Sequence, residues 1–171
     1  MSNNLTNVEA ILAIDSKGGL AKDGIIPWKS KTDLMFFKRK TTNNVVLMGA
    51  KTLFSLPNAK PLPNRINIVL TKEKHKYVFS YTDYDNILFV SLDEALSILK
   101  NDYKDKTIYI IGGNQIFDLF LGYCNTIWLT TIKKDYDCDL FFSGINCLTT
   151  YTKDIVYEDD TLTISKYYPP P

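Results

Sequence analysis

The feature that most constrains the fold is a series of short apolar runs, too short for ordinary helices, each closed by a glycine or a polar turn. Val8 to Ile14 is the first, bounded by Asp15-Ser16-Lys17-Gly18-Gly19. Asn44 to Met48 (N-V-V-L-M), Ile66 to Leu70 (I-N-I-V-L), Ile87 to Val90 and Thr107 to Ile111 (T-I-Y-I-I) follow. Continuous apolar runs of this length read as strands buried on both faces. Such strands need a layer on each side, and the segments between them supply it. A helix is predicted over 30–41, a short one after Gly49, one opened by Ser91 and one after Gly112-Gly113. Ser91 with Glu94 three residues on has the spacing of a capping box, which satisfies two of the free N–H groups at a helix start. Strands alternating with helices predict an α/β domain with a largely parallel sheet. Thr126 to Lys133 and Thr161 to Tyr167 complete the strands, and with no helix between them an antiparallel edge is expected.

Composition narrows the partners. A chain of 171 residues holds one domain with a sizeable core, and no repeat, low-complexity segment or linker divides it. A single domain over 1–168 is expected, with Pro169-Pro170-Pro171 as a frayed tail. A net charge of +1 gives no electrostatic reason to expect nucleic acid or a membrane surface as partner, and no apolar run approaches a membrane span. The polar opening Met-Ser-Asn-Asn-Leu-Thr-Asn has no signal-peptide pattern. Cys124, Cys138 and Cys147 lack metal-ligand spacing, so no metal is expected, and their odd number suits reduced thiols in a cytoplasm. His75, in Glu-Lys-His-Lys, reads as solvated surface.

One residue of the 30–41 helix is out of place. Asp33, Leu34, Phe37 and Lys38 fall on or beside one face, which sets a carboxylate at the edge of an apolar stripe. An ionised carboxylate there is costly unless something cationic meets it. Two further segments run from a strand through glycine into a helix: Ile111-Gly112-Gly113-Asn114-Gln115 and Met48-Gly49-Ala50-Lys51-Thr52. Free N–H groups at a helix start suit phosphate, although an ordinary tight turn accounts for either segment alone. Two such turns in one sheet, with Thr71-Lys72 ending a neighbouring strand, make a large phosphorylated ligand credible. In Pro61-Leu62-Pro63-Asn64-Arg65-Ile66-Asn67 the prolines stiffen a loop that presents Arg65, a side chain suited to a carboxylate, although a surface Arg in a loop is the simpler account of these residues alone. Lys17 to Trp28 (K-G-G-L-A-K-D-G-I-I-P-W) could close over a ligand.

Taken together and in order, these motifs resemble the dihydrofolate reductase family. I-L-A-I-D-S-K-G-G-L-A-K-D-G-I-I-P-W, D-L-x-x-F-K, M-G-x-K-T, P-L-P-x-R-x-N, I-G-G-x-x-I-F, L-T-T-I at 129–132 and D-x-F at 139–141 span essentially the whole chain. The resemblance implies a central, mostly parallel eight-stranded sheet with an antiparallel C-terminal strand and helices on both faces. It implies that Asp33 grips the pterin of dihydrofolate through its 2-amino group and N3, with Thr130 bonding both carboxylate and pterin and Trp28 holding an ordered water. Ile11, Leu12, Leu34, Phe37, Leu56, Leu62, Ile111 and Phe117 would line the pterin and aminobenzoyl pocket. Arg65, assisted by Lys38, would take the α-carboxylate of the glutamate tail.

For the cofactor, NADPH, the resemblance implies that Ala13, Leu20, Ala21 and Ile26 flank the nicotinamide. Gly49, Ala50, Lys51 and Thr52, with Gly112, Gly113, Asn114, Gln115 and Ile116, would meet the phosphates. Leu70, Thr71 and Lys72 would border the adenosine, Lys51 and Lys72 reaching its 2′-phosphate; Ile111 and Phe117 would touch cofactor as well as substrate. Asp139 would brace the lid loop. The reaction implied is reduction of 7,8-dihydrofolate to 5,6,7,8-tetrahydrofolate by a cytoplasmic monomer that also binds antifolate-type inhibitors. Four positions depart from the commonest pattern: Ala21 for a lid Gly, Ala50 for a basic residue, Asn114 for a small residue and Phe117 for Tyr. A riboflavin-pathway pyrimidine reductase of the same fold would not be expected to keep Asp33, Phe37 and Arg65. A non-catalytic binding module of this fold would be separated from an enzyme by whether it oxidises NADPH.

Overall fold

The computed structural model describes residues 3–170; Met1 and Ser2 of the polar opening and Pro171 of the expected tail lie outside them. In chain order the elements are β1 (Leu5–Ile14), β2 (Gly19–Ala21), α1 (Lys31–Thr41), β3 (Val45–Gly49), α2 (Ala50–Ser55), β4 (Ile66–Leu70), α3 (Lys74–Val78), β5 (Ile87–Val90), α4 (Leu92–Asn101), β6 (Ile108–Gly112), α5 (Asn114–Phe120), β7 (Cys124–Ile132), β8 (Leu140–Phe141), β9 (Thr152–Glu158) and β10 (Leu162–Tyr168). An eight-stranded sheet runs in the order β5-β4-β3-β6-β1-β7-β10-β9, and β2 and β8 form a separate two-stranded sheet. From β5 to β7 every pairing is parallel; β10 is antiparallel to β7 and to β9.

The apolar runs are apolar throughout because both faces of the sheet are covered. Alternation along β1 sends Val8, Ala10, Leu12 and Ile14 into one core cluster and Ile11 into the other. β3 does the same with Val45 and Leu47 against Val46 and Met48, and β6 with Ile108 and Ile110 against Tyr109. The first cluster is roofed by Ala95 and Leu99 of α4 and by Ile116, Phe117 and Phe120 of α5. The second is covered by Phe36 of α1 and Leu53 of α2. Side chains buried as completely as Phe117 and Phe120 each contribute roughly 1.5–3 kcal/mol.

The helix starts follow from local chemistry. Ser30 caps α1, its hydroxyl accepting from the Asp33 N–H at 3.1 Å. Ser91 and Glu94 form both bonds of the capping box. Two expectations need correction. β10 is not the edge of the sheet, because β9 lies outside it. Every residue of β9 is exposed, and its apolar run is only Ile155-Val156-Tyr157, shorter than those of the buried strands. The glycine-containing segment before Trp28 is not wholly loop, since Gly19 to Ala21 pair with Leu140 and Phe141. Among the described residues no helix is long and apolar enough to cross a membrane.

Candidate active site

Parallel strands deliver their carboxyl ends to one rim of a sheet, where ligands of α/β proteins commonly sit. Here that rim carries the start of α1 and both glycine turns. Asp33 is the third residue of α1, and Thr130 lies on β7 opposite Ala13 of β1. The Thr130 hydroxyl is close enough to the Asp33 carboxyl to favour its charged form. Burial raises the Asp33 pKa above its ordinary value; the Thr130 hydroxyl pulls the other way and does not win. None of the ion pairs among the described residues includes Asp33. The fold therefore holds a carboxyl group at a cost, with one neutral partner.

The surrounding side chains divide by face. Ile11, Trp28, Phe37, Leu56, Leu62, Ile111 and Ala13 belong to or pack on the cluster beneath α1. Trp28 is 5% exposed and leans on Tyr136 with ring centroids 5.7 Å apart. Leu34 is 66% exposed, whereas Phe36 turns inward to pack edge-on against Trp128. Two expected pocket residues have their side chains in the other core cluster. Leu12 points to the opposite face of β1 and packs in the other cluster, as strand alternation after Ile11 requires. Phe117 is 1% exposed, its ring edge-on to Phe142 and directly under Gly112, so it supports the turn from below.

Arg65 is 8% exposed, yet no carboxylate of the described residues pairs with it. Its Nε donates to the Pro63 carbonyl at 2.9 Å and one Nη donates to Thr41 Oγ1 at 3.0 Å. The Thr41 hydroxyl in turn donates to the Phe37 carbonyl at 2.8 Å, which fixes the guanidinium against the end of α1. Burial lowers the Arg65 pKa from its ordinary value, but a guanidinium titrates so far above neutrality that it stays charged. The loop itself is built around Asn67, which is fully buried. Its Oδ1 accepts from the Leu62 N–H at 2.9 Å, and its Nδ2 donates to the carbonyls of Leu62 and Arg65 at 3.0 and 3.1 Å. Asn86 Nδ2 donates to the same two carbonyls, each at 3.1 Å. Thr41 and Asn86 carry no motif; only the structure reveals their part. Lys38 is exposed on α1.

The two glycine turns are neighbours because β3 pairs with β6, Met48 opposite Gly112. Gly112 has φ +113°, and a Cβ there would meet the Phe117 ring at 3.1 Å, so only glycine fits. The peptide between Gly112 and Gly113 is cis. A Cβ on Gly113 would meet nothing closer than Thr52 Oγ1 at 4.0 Å, which leaves an open cradle between the turns. Ala50 and the exposed Lys51 begin α2 after Gly49. Beside the cradle, a cavity of about 450 Å³ is lined by Leu70, Thr71, Lys72, Ser91, Gln115 and Ile116, among others. The rim can therefore accept a long ligand with polar and anionic groups.

The segment from Asp15 to Trp28 lies over this rim and is held from two sides. Asp15 is 1% exposed; its Oδ1 accepts from the N–H groups of Lys17 and Gly19 at 2.9 and 2.8 Å, and its Oδ2 from Tyr136 at 3.0 Å. Burial alone would raise its pKa, but these N–H groups and the Cys138 thiol hold it below the ordinary value. Gly19 is packed so closely that a Cβ would lie 2.3 Å from that of Cys138. Asp139 accepts from the Asp23 N–H at 3.0 Å, and its own N–H donates to the Ala21 carbonyl at 3.0 Å. Leu20 packs on the first core cluster, Ala21 is buried, and Ile26 stands 59% exposed at the tip.

The comparisons with known proteins agree with this geometry. Residues 7–162 match the family model described as dihydrofolate reductase. The dihydrofolate reductase of Ureaplasma parvum serovar 3 (strain ATCC 700970) is 37% identical over 124 residues, 72% of this chain and 74% of that protein. That of Staphylococcus haemolyticus is 32% identical over 139 residues, covering 81% and 78% of the two chains. Among solved structures, dihydrofolate reductase from Enterococcus faecalis complexed with NADP(H) and RAB-propyl superposes with a TM-score of 0.72 at 28% identity, covering 94% of this chain and 95% of that one. The chain belongs to the dihydrofolate reductase family.

Proposed function

We propose that this protein reduces 7,8-dihydrofolate to 5,6,7,8-tetrahydrofolate with NADPH, and that Asp33 is the residue around which the reaction is organised. The observation that carries the proposal is a carboxyl group kept partly desolvated beside Thr130, with no cationic partner among the described residues. The pterin edge, offering two N–H donors from N3 and the 2-amino group, would complete the pair that the fold leaves open. In this reading Ile11, Phe37, Leu56 and Leu62 form the apolar wall, Leu34 stands at its mouth, and Arg65, held by Thr41, receives the tail carboxylate.

The cradle between the glycine turns and the adjoining cavity suit a dinucleotide. Gly49, Thr52, Gly113 and the first residues of α5 would hold its diphosphate, and Lys72, which lines the cavity, its 2′-phosphate together with Lys51. When bound, NADPH supplies the hydride, from nicotinamide C4 to pterin C6. The residues of this chain orient the two rings, and the Asp15–Trp28 segment excludes water above them. Among the described residues no second acid acts on Asp33, so in this reading the proton for N5 comes from water near Trp28, with the Asp33 charge raising the basicity of the pterin. The same reading has a cytoplasmic monomer serving one-carbon metabolism, whose Asp33 cleft also accepts antifolate-type inhibitors. Purified protein mixed with NADPH and dihydrofolate is expected to lose NADPH absorbance. Folded protein that oxidises no NADPH would overturn the enzyme in favour of a binding module.

A further inference from the structure

Asn114 stands where the family more often has a small residue, and its side chain neither caps α5 nor points into the cradle. Its Nδ2 donates to the Phe141 carbonyl at 2.5 Å, and its Oδ1 accepts from the Ser143 N–H at 3.2 Å. One turn further along α5, Asp118 accepts from the Ser143 hydroxyl at 2.5 Å. The Phe141–Phe142 peptide unit is thus engaged on both edges: its C=O accepts from Asn114, and its N–H donates to the Gly18 carbonyl at 2.9 Å. A peptide unit is planar, so a bond that fixes one edge fixes the direction of the other. Hydrogen bonds in series also strengthen one another. Behind Gly18 lies β2, which pairs with β8, and the Asp139–Asp23 contact belongs to the same ribbon.

We infer that Asn114 is a positioning residue for the lid: its carboxamide forms an outer rung on the β2–β8 ribbon and ties the lid to the first residue of α5. The link to cofactor rests on the proposed reading that the turn before α5 holds the diphosphate. A ligand that fixes this turn restricts Asn114, and through the 141–142 peptide it restricts Gly18 and the residues after it. Coupling of this kind is a loss of motion shared between two sites, and hydrogen exchange can detect it.

The test uses the full chain, first free and then with NADPH. In the free protein Asn114→Ala is expected to speed amide exchange about tenfold at Asp139 and Phe142, the amides that donate into the lid. Exchange at Ile110, in the centre of the sheet, is expected to stay unchanged. Asn114→Asp keeps the acceptor for Ser143 but turns an oxygen toward the Phe141 carbonyl, so it is expected to speed exchange at least as much as alanine. With NADPH bound, the slowing of exchange at Asp139 and Phe142 seen in the wild type shrinks in both variants, and single-turnover hydride transfer falls by more than NADPH affinity does. Unchanged lid exchange in Asn114→Ala overturns the inference, as does faster exchange at Ile110 by the same factor, or wild-type behaviour in Asn114→Asp. If the wild type bound no NADPH, the proposed cofactor site would fail while the exchange of the free protein still decided the role of Asn114.

Discussion

Replacing Asp33 with Asn separates what this residue does for the ligand from what it costs the fold. The change keeps the size and shape of the side chain and removes the charge. In the free protein burial raises the Asp33 pKa above 3.8, so the folded chain keeps its proton to higher pH than the unfolded chain does. The sign follows: the contribution of this group to stability falls as pH rises from 3.8 through the folded pKa, and stays low beyond. Because the substitution relieves a desolvated charge, Asp33→Asn is expected to leave unfolding free energy at pH 7 equal or higher, with the advantage shrinking toward pH 4. For the reaction the balance reverses. The variant keeps one acceptor for the pterin, loses a charge-assisted hydrogen bond and turns an NH₂ toward a donor. Together these changes are worth about 3 kcal/mol, roughly two orders of magnitude in kcat/KM. Urea unfolding at pH 4 and pH 7 reads the first effect, and single-turnover hydride transfer with NADPH and dihydrofolate reads the second. A variant that kept turnover within threefold at pH 7, or one that was clearly less stable there, would refute the reasoning.

Further outcomes follow from other contacts. Gly112→Ala would force a side chain into φ +113° with the Phe117 ring 3.1 Å away, which is expected to lower stability by about 2 kcal/mol in urea unfolding and to weaken NADPH binding in a fluorescence titration. Arg65→Leu is expected to raise KM for dihydrofolate by about two orders of magnitude with little change in kcat, because the lost contact is made equally in ground and transition states. Thr41→Val, which removes only the hydroxyl that orients Arg65, is expected to show the same signature at about a tenth of that size in steady-state kinetics. Asp15→Asn leaves at least one of three backbone N–H groups facing an amide NH₂, a loss of about 2 kcal/mol at pH 7. Because the folded Asp15 pKa is depressed, the stability it contributes is present above 3.8 and fades as pH falls below it, so urea unfolding of the two proteins is expected to converge at acid pH.

How much of the site the sequence discloses depends on how a residue does its work. Strands buried on both faces announce themselves, and so Val45–Gly49 and Ile66–Leu70 lie within a residue of where their apolar runs predict them. β9 is held by one neighbour and exposed along its whole length, so its only signal is the three-residue run Ile155-Val156-Tyr157, too short to stand out as a buried strand. The same division runs through the active site. Asp33 is legible because it breaks a local rule, an acid beside Leu and Phe, and a broken rule points to a missing partner. Leu12 is the opposite case: a wholly apolar strand hides which of its two faces lies toward α1, and only the pairing of β1 with its neighbours decides. Thr41 and Asn86 are ordinary residues whose importance lies in long-range hydrogen bonds, and sequence spacing carries no record of those. Asn114 lies between the two cases. Its departure from a small residue is visible in the sequence, but as an apparent defect in a phosphate turn. The structure shows the side chain spent on Phe141 and Ser143 instead. An unexpected residue in a binding motif is therefore best asked what it touches outside the motif, since evolution can use a position's backbone for one ligand and its side chain for another part of the same machine.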